Sequence, residues 1–389
     1  MKLEEIQEAL REQQLDGWLF FDHHRRDPLA YRALNFEPQS PVTRRWFYFI
    51  PATGEPRGLV HKIEAETLQA LPGKHALYAS WQELAEGLSA ILGRARSVAM
   101  QYSPECAIPY VSMVDGGTLE MVRDLGVRVS SSANLIQYFE ARWSAEQLEM
   151  HLEAGRKVDR IRGEAFQHVG EVLRADERIT EWDVQQFILK RFGEEGLVTD
   201  HGPDVAVNGN ASNPHYEPKR EMCSEIRRGD VLLMDMWAKL GRPVSVYYDI
   251  TWVGYCGPQA PSKVENVFGV VREARDRAVR FVKEGIRAGK KLHGFEVDDA
   301  ARAFVREKGF DEYFFHRTGH SIGSDVHGTG ANMDNLETHD TREIVPRTCF
   351  SVEPGIYLPE FGIRLELNVY VGEAEARVTG EVQDKIILL

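Results

Sequence analysis

The second half of the sequence places acidic side chains inside segments whose other residues are apolar. These acids are Asp235, Asp249, Glu353 and Glu366. An unpaired carboxylate in an apolar strand has a large free-energy cost, or it loses its charge through a shift of its pKa. One such acid alone is typical of an outward-facing strand residue or of a single salt bridge. Acids at all of these positions together indicate a shared cation.

Histidines follow one another closely in the same half of the chain, at His316, His320 and His327. Imidazole combined with carboxylates suits divalent first-row metals, whereas sites made only of oxygen atoms favour magnesium or calcium. Several carboxylates with an imidazole exceed what one tetrahedral ion accepts. They fit two ions about 3.5–4 Å apart that share carboxylates and activate a water molecule. The residue types therefore predict a dinuclear metal centre.

The elements that must position these residues fall into two parts of the chain. Up to about residue 140, strand-like segments alternate with helical segments, which is typical of an α/β domain. Ser144 and Gln147 form a capping-box pattern at the start of a long amphipathic helix, so we expect a domain boundary just before it. The sequence predicts an α/β domain over residues 1–142 and a second domain over residues 143–389.

The pattern of apolar residues also predicts the individual elements. In the first domain we expect helices at 3–14, 64–71 and 81–92 and strands at 18–21, 46–50, 58–60 and 97–100. In the second domain we expect helices at 144–174, 181–195, 263–287 and 297–308 and strands at 203–207, 231–236, 244–253, 349–352 and 363–371. Glu353 then lies where a strand ends in a turn, because Pro354 and Gly355 follow it.

Composition and charge narrow the classes of function. The 389 residues include 47 Lys and Arg against 60 Asp and Glu, and the net charge of −13 repels nucleic acid and anionic lipid. The sequence shows no run of about 18 apolar residues, the length needed to span a membrane, and no signal peptide is readable at the N-terminus. The 4 cysteines are scattered without CxxC pairs, which is typical of reduced thiols. We therefore expect a cytoplasmic, globular protein with neither nucleic acid nor membrane as partner.

The order of the acids and histidines resembles that of the pita-bread metallopeptidases. The resemblance rests on Gly319-His320-Ser321-Ile322-Gly323, Asp325-Val326-His327, Glu353-Pro354-Gly355-Ile356-Tyr357 and Gly362-Ile363-Arg364-Leu365-Glu366. The family includes Xaa-Pro dipeptidase (prolidase), aminopeptidase P, methionine aminopeptidase and the metal-free creatinases. The likeness implies an α/β N-terminal domain, an α+β pita-bread catalytic domain and a homodimer.

Carried over by position, the resemblance also implies a ligand set for two divalent metal ions. The implied ligands are Asp235, Asp249, His320, Glu353 and Glu366. Asp249 and Glu366 would bridge the ions, Asp235 would complete one ion, and His320 with Glu353 would complete the other. Manganese is the expected metal, with cobalt and zinc as alternatives. Retention of the whole set argues against the creatinase branch.

The resemblance assigns further roles around the ions. His215 matches a substrate-side histidine, His327 the histidine that stabilises the tetrahedral intermediate, and His316 a further active-site histidine. Arg364 matches an arginine that binds the substrate carboxylate or orients a ligand. Glu353 is expected to carry a proton from the attacking water to the leaving proline nitrogen. The implied substrate is a small peptide with proline at the second position.

Two departures from the family pattern bear on the substrate. Asp235 and Asp249 are 14 residues apart (249 minus 235), which is longer than the usual spacing. Trp237 occupies a position that is usually glycine, and Trp252 stands where proline-specific members often have arginine. We expect the metal site to be kept and the substrate preference to shift.

Other functions stay open on the sequence alone. Xaa-Pro dipeptidase and aminopeptidase P differ in the room left after proline, and the compact length of 389 residues favours the dipeptidase. A non-peptidase hydrolase or lyase with the same metals, or an inactive binding protein, fits the same scaffold. The segment 319–323 also reads G-x-S-x-G, the nucleophile pattern of α/β-hydrolases, although few residues follow Ser321 to supply an acid and then a histidine.

Overall fold

The computed structural model describes residues 2–39 and 41–389, which divide into two compact units. The first unit ends at Glu140 and the second is Ala141–Leu389, so the division falls two residues before the boundary expected from the sequence. Each unit has hydrophobic clusters of its own. No helix within the described ranges has both the length and the apolar character that crossing a membrane requires.

The first unit is an α/β structure, as its alternating pattern predicts. Its strands are β1 (Gly17–Asp22), β2 (Trp46–Pro51), β3 (Arg57–His61), β4 (Lys74–Tyr78), β5 (Ser97–Met100) and β6 (Arg128–Ser131). Its helices are α1 (Leu3–Glu12), α2 (Pro28–Leu34), α3 (Trp81–Leu92), α4 (Gly116–Asp124) and α5 (Ala133–Ile136). The strands form one six-stranded sheet in the order β4-β3-β2-β1-β5-β6, with β1 antiparallel to β2 and parallel to β5.

The helix expected at 64–71 is wrong. A short 3-10 turn, Lys62–Glu64, forms there, and the following residues continue as turns. The Glu64 carboxylate accepts hydrogen bonds from the backbone N–H groups of Thr43 at 2.9 Å and Arg44 at 3.1 Å. Glu64 therefore anchors a neighbouring loop instead of the first turn of a helix.

The second unit contains two larger sheets, a hairpin and long helices. The helices are α6 (Ala145–Arg174), α7 (Glu181–Glu194), α8 (Ser262–Arg287) and α9 (Gly294–Glu307). The strands are β7 (Leu197–Val198), β8 (Asp204–Val207), β9 (Val231–Leu240), β10 (Tyr248–Tyr255), β11 (Ser321–Ile322), β12 (Thr348–Val352), β13 (Gly355–Tyr357), β14 (Gly362–Arg364), β15 (Leu367–Val371), β16 (Ala376–Thr379) and β17 (Ile387–Leu388). One sheet centres on β9 and β10, the other on β12 and β15, and β13 pairs with β14.

Capping residues determine where the first two helices of this unit begin. The Ser144 hydroxyl accepts a hydrogen bond from the Gln147 N–H at 3.1 Å, and the Gln147 side chain accepts one from the Ser144 N–H at 2.9 Å. Thr180 and Asp183 form the same arrangement before α7. Such caps satisfy N–H groups that have no partner within the helix, and each stabilises it by about 1 kcal/mol. The predicted starts of both helices are confirmed.

The segment 363–371, expected as one strand, is two strands in different sheets. β14 pairs with β13, whereas β15 pairs with β12 and β16. The chain crosses between them at Leu365 and Glu366. The Glu366 N–H donates a hydrogen bond to the Thr251 carbonyl at 3.0 Å, which ties the crossing point to β10. This crossing brings Glu366 next to Asp249.

Candidate metal centre

Two of the predicted ligands, Asp235 and Asp249, are held by the pairing of β9 with β10. Asp235 is opposite Thr251, and Asp249 is opposite Trp237. Because side chains alternate along a strand, both acids project from the same face of the antiparallel pair. The hydroxyl of Thr251 donates a hydrogen bond to Glu366 Oε2 at 2.8 Å. The strand register therefore places three carboxylates together.

His320 completes the group from a loop that precedes β11. Ligand atoms of Asp249, His320 and Glu366 all lie within 4.8 Å of one another, and all three side chains are buried. His320 Nε2 lies 3.4 Å from Asp249 Oδ2 and 3.4 Å from Glu353 Oε1. Nδ1 donates to the Ser321 carbonyl at 3.1 Å, which leaves the Nε2 lone pair facing the carboxylates. This is the tautomer that a metal ligand requires.

Glu353 lies where β12 ends and the chain turns into β13, as the sequence predicts. Its Oε1 accepts a hydrogen bond from the Ser351 hydroxyl at 3.0 Å, and the same hydroxyl accepts one from the His320 N–H at 2.9 Å. Gly319 lets the two segments approach this closely, since a Cβ there would lie 1.9 Å from the Ser351 carbonyl oxygen. Ser351 therefore fixes two predicted ligands relative to each other.

Arg364 is buried beneath the acids and is fully engaged with neighbouring side chains. It donates to Asp235 Oδ2 at 2.5 Å, to the Tyr357 hydroxyl at 3.0 Å and to the Thr251 hydroxyl at 3.2 Å. A guanidinium with these partners is held away from solvent and fixes the Asp235 carboxylate. Of the two roles left open by the sequence, these contacts favour the orientation of a ligand.

The electrostatics of the acids fit bound cations. Asp235 Oδ1, Asp249 Oδ1 and Glu366 Oε1 are buried and have no hydrogen-bond partner among the described residues. Burial, followed by repulsion from Asp235, raises the pKa of Asp249 well above its ordinary value. Burial, followed by repulsion from Asp249, also raises the pKa of Glu366 well above its ordinary value. Burial raises the pKa of Glu353. Divalent cations would satisfy the bare oxygens and cancel this repulsion.

The remaining predicted histidines surround this centre differently. The ring of His327 lies 4.4 Å from the ring of His320, and the proximity of His320, then burial, lowers the pKa of His327 to about 3. His316 Nε2 accepts a hydrogen bond from the Tyr357 hydroxyl at 2.7 Å, and burial lowers the pKa of His316 to about 3. His215 is exposed, but its charge contributes to the low pKa of His327. The structure therefore brings all three histidines to the region of the acids.

Only one of the two unusual tryptophans projects from the face that carries the acids. Trp237 is two residues after Asp235 in β9 and therefore lies on the same face, and its indole N–H donates to Asp200 Oδ1 at 2.8 Å. Trp252 projects from the opposite face of β10, where the Arg162 guanidinium lies 3.6 Å from its ring centre. Trp237 therefore lies on the side of the acids, whereas Trp252 belongs to the packing against α6.

Two features of the site escaped the sequence analysis. Asp204 of β8 is opposite Asp235. Burial, followed by repulsion from Asp235, raises the pKa of Asp204 to about 8.

The second feature is a buried, bidentate ion pair on α9 between Asp298 and Arg302, in which both N–O distances are 2.9 Å. An acid and a base four residues apart on a helix indicate an ion pair, but nothing in the sequence indicates which segment this pair binds.

That buried pair supports the histidine-bearing loop. Arg302 donates to the carbonyl oxygens of Phe314 at 2.9 Å and His316 at 2.8 Å, and Asp298 accepts from the Thr318 N–H at 3.0 Å. Both members are nearly inaccessible to solvent. The loop that leads to His320 is therefore fixed by hydrogen bonds to α9.

The α/β-hydrolase alternative does not fit the position of Ser321. Ser321 is buried in β11, which pairs with β12, and its hydroxyl accepts a hydrogen bond from the Gly330 N–H at 2.9 Å. A nucleophile elbow needs an exposed serine at a turn from a strand into a helix. The G-x-S-x-G pattern is therefore coincidental here.

The fold and the buried centre define a metallopeptidase of the pita-bread type. The chain belongs to metallopeptidase family M24, whose sequence model matches residues 153–373, more than half of the chain. An Xaa-Pro dipeptidase of Lactobacillus helveticus is 33% identical over 165 residues, which cover 42% of this chain and 40% of that protein. The stretch that aligns with this chain covers 51% of the length of a relative from Mycoplasma pneumoniae and 84% of the length of a relative from Mycobacterium tuberculosis.

Solved structures resemble the whole chain. The dipeptidase PepE of Mycobacterium ulcerans superposes with a TM-score of 0.71 at 21% identity, covering 99% of this chain and 96% of that one. An X-prolyl aminopeptidase of Caenorhabditis elegans, described as having a di-nuclear active site, gives a TM-score of 0.68 at 17% identity and covers 99% of this chain and 63% of that one. These likenesses establish the fold, an N-terminal domain followed by a catalytic domain.

Proposed function

We propose that this enzyme hydrolyses Xaa-Pro peptide bonds in dipeptides by means of two divalent metal ions. The observation that carries the proposal is the buried group of Asp235, Asp249, His320, Glu353 and Glu366, with its unpaired carboxylate oxygens. Its oxygen and nitrogen donors suit manganese, and cobalt and zinc are alternatives. The activities named for the Lactobacillus and Mycobacterium ulcerans proteins support the assignment to dipeptides.

Two divalent ions held by these five residues would make a hydroxide available at neutral pH and would polarise the scissile carbonyl. Glu353, whose pKa is raised by burial, holds the proton between the attacking water and the leaving proline nitrogen. The ring of His327, 4.4 Å from that of His320, donates an N–H hydrogen bond to the developing oxyanion. His215 contacts the substrate from the exposed side, and His316 with Arg364 orients the ligands.

An aminopeptidase that removes the residue before proline from longer peptides is the second candidate. It is favoured by the activity named for the Caenorhabditis elegans structure. Both candidates use the same centre, and they differ in whether residues after proline are accepted. We also propose a homodimer, which the resemblance to the pita-bread family implies and which light scattering after size-exclusion chromatography would detect.

The test is release of amino acids from Ala-Pro and Ala-Pro-Ala by protein freed of metal and reloaded with manganese, cobalt, zinc or buffer alone. We expect metal-dependent release of proline from Ala-Pro, and Ala-Ala serves as the control for proline specificity. Cleavage of the first bond of Ala-Pro-Ala would assign an aminopeptidase instead. Two bound ions without cleavage of either peptide would refute the peptidase and favour another hydrolase or a lyase.

A matched pair of variants connects any activity to the centre. Asp249→Asn removes the charge of a predicted ligand, whereas Asp124→Asn removes an exposed charge from α4 in the first unit. We expect only the first to lose bound metal and hydrolysis together. Equal activity of the two variants would contradict the assigned site.

A further inference from the structure

Glu181 is a buried carboxylate that none of the roles above uses. It is the first residue of α7 and is 0% exposed. Oε1 accepts from the Val207 N–H at 2.7 Å, and Oε2 accepts from the Ser224 N–H at 2.6 Å and from the Tyr216 hydroxyl at 2.6 Å. The Asn210 amide donates to Oε1 at 2.9 Å. Buried charges without such partners are strongly disfavoured, so this set of donors is specific to a carboxylate.

The partners of Glu181 bracket one continuous segment, residues 208–224, which we call the His215 loop. Val207 immediately precedes the loop, Asn210 and Tyr216 lie within it, and Ser224 ends it. Tyr216 is the neighbour of His215 in sequence. One buried carboxylate thus gathers the beginning, the middle and the end of the segment that carries a proposed substrate-binding histidine.

The other side of the His215 loop rests on the hairpin that joins two proposed ligands. The Ser212 hydroxyl donates to the Leu358 carbonyl between β13 and β14. Gly362 permits close contact there, because a Cβ at that position would lie 1.9 Å from the Ala211 carbonyl oxygen. The loop is therefore held between α7 and the hairpin that leads from Glu353 toward Glu366.

His215 itself has little local support. It is exposed, and its backbone N–H donates to the Asn213 side chain at 3.2 Å. Its position relative to the centre therefore depends on how firmly the loop is anchored on either side of it. Displacement of a reacting group by about 1 Å can lower an enzymatic rate about a hundredfold.

We propose that Glu181 is a positioning residue that sets the place of His215 through the Tyr216 hydroxyl and the two ends of the His215 loop. The inference rests on the proposed function for its kinetic test, and a second test is independent of activity. Glu181→Gln keeps the shape but removes the charge, and its amide group presents N–H atoms toward the N–H of Val207 or Ser224. Glu177→Gln, an exposed change four residues earlier, is the matched control.

The kinetic test is a double-mutant cycle with His215→Ala, measured on Ala-Pro with metal-loaded protein. We expect Glu181→Gln to lower kcat/KM roughly ten- to hundredfold with unchanged bound metal, and Glu177→Gln to have no effect. In the His215→Ala background, Glu181→Gln should cause little further loss, because Glu181 acts on the reaction through His215. If Glu181→Gln lowers kcat/KM by the same factor with and without His215, the proposal is overturned, since a merely structural role predicts such independent losses.

The second test is limited digestion with trypsin, which needs no substrate. Lys219 and Arg220 are exposed within the His215 loop. We expect cleavage there to be faster in Glu181→Gln than in the native protein or in Glu177→Gln. Unchanged cleavage would overturn the proposal even if Xaa-Pro hydrolysis is never observed. Should Glu181→Gln fail to fold, Tyr216→Phe removes one donor and should give smaller changes in the same directions, and no change in either test would also refute the proposal.

Discussion

His151 should make the stability of this protein depend on pH in a way that one substitution can isolate. The side chain is on α6, is fully buried, and contacts Tyr248 of β10 and Thr379 of β16. Nδ1 donates to the Tyr247 carbonyl at 2.7 Å, and Nε2 accepts from the Thr379 hydroxyl at 2.7 Å. In the neutral ring, both nitrogens therefore have a hydrogen-bond partner. Burial lowers the pKa of His151 from 6.5 to about 4.

The size of the effect follows from the two pKa values. Above pH 6.5 the ring is neutral in both the folded and the unfolded chain, so its contribution to stability is fully present. As the pH falls from 6.5 toward about 4, the unfolded chain binds a proton that the folded chain rejects. The free energy of unfolding should fall by about 1.4 kcal/mol per pH unit, or about 3 kcal/mol in total, and the loss should stop below the folded pKa.

The comparison that isolates this effect uses His151→Gln, whose amide can donate to the Tyr247 carbonyl and accept from the Thr379 hydroxyl without titrating. Urea unfolding of metal-free native and variant protein should be followed at several pH values between 7.5 and 4. We expect the difference in free energy of unfolding to change by about 3 kcal/mol across this range in favour of the variant at low pH. A difference independent of pH would refute the assignment of a neutral, buried histidine.

Three further substitutions test the centre and its support. Asp249→Ala removes a proposed bridging ligand, so both metal ions and hydrolysis should be lost, and elemental analysis that still finds two ions with full activity would contradict this. His327→Ala should keep the metal while the rate falls by about two to three decades, and an unchanged rate would exclude its role at the oxyanion. Arg302→Met leaves Asp298 charged and buried, so the free energy of unfolding should fall by roughly 3–5 kcal/mol, whereas Arg306→Met on the exposed side of α9 should change it by less than about 0.5 kcal/mol in urea titrations.

The acids on strands could be predicted because their signal is local. Asp235 and Asp249 are each flanked by apolar residues, and this contrast is visible without knowledge of the fold. Their common face depends on register, since Asp235 is opposite Thr251 and Asp249 is opposite Trp237. The sequence predicted that the acids would meet, but the residues opposite them became known only from the structure.

The supports of the loops could not be predicted because their partners are distant in sequence. Glu181 accepts from Ser224, which is 43 residues away, and Asp298 accepts from Thr318, which is 20 residues away. No spacing rule connects such pairs, because the intervening segments follow irregular paths. The incorrect helix at 64–71 has the same cause, since Glu64 bonds to Thr43 and Arg44 from another part of the chain. Local patterns predict elements, and contacts across long separations decide how loops are held.

A centre of like charges needs contacts between distant segments of the chain, because these contacts hold the mutually repelling acids in place. Burial, and with it the repulsion among the acids, raises the pKa values of Asp249, Glu353 and Glu366, and flexible segments that carried these acids would move apart. Strand pairing holds Asp235 and Asp249, while Ser351 and the pair of Asp298 and Arg302 hold the segments that bear His320 and Glu353. Folding thus provides the free energy that keeps the acids together, so that cation binding needs little rearrangement. Weakening Ser351 or the Asp298–Arg302 pair, which hold the ligand-bearing segments, should therefore lower metal affinity even though no ligand is changed.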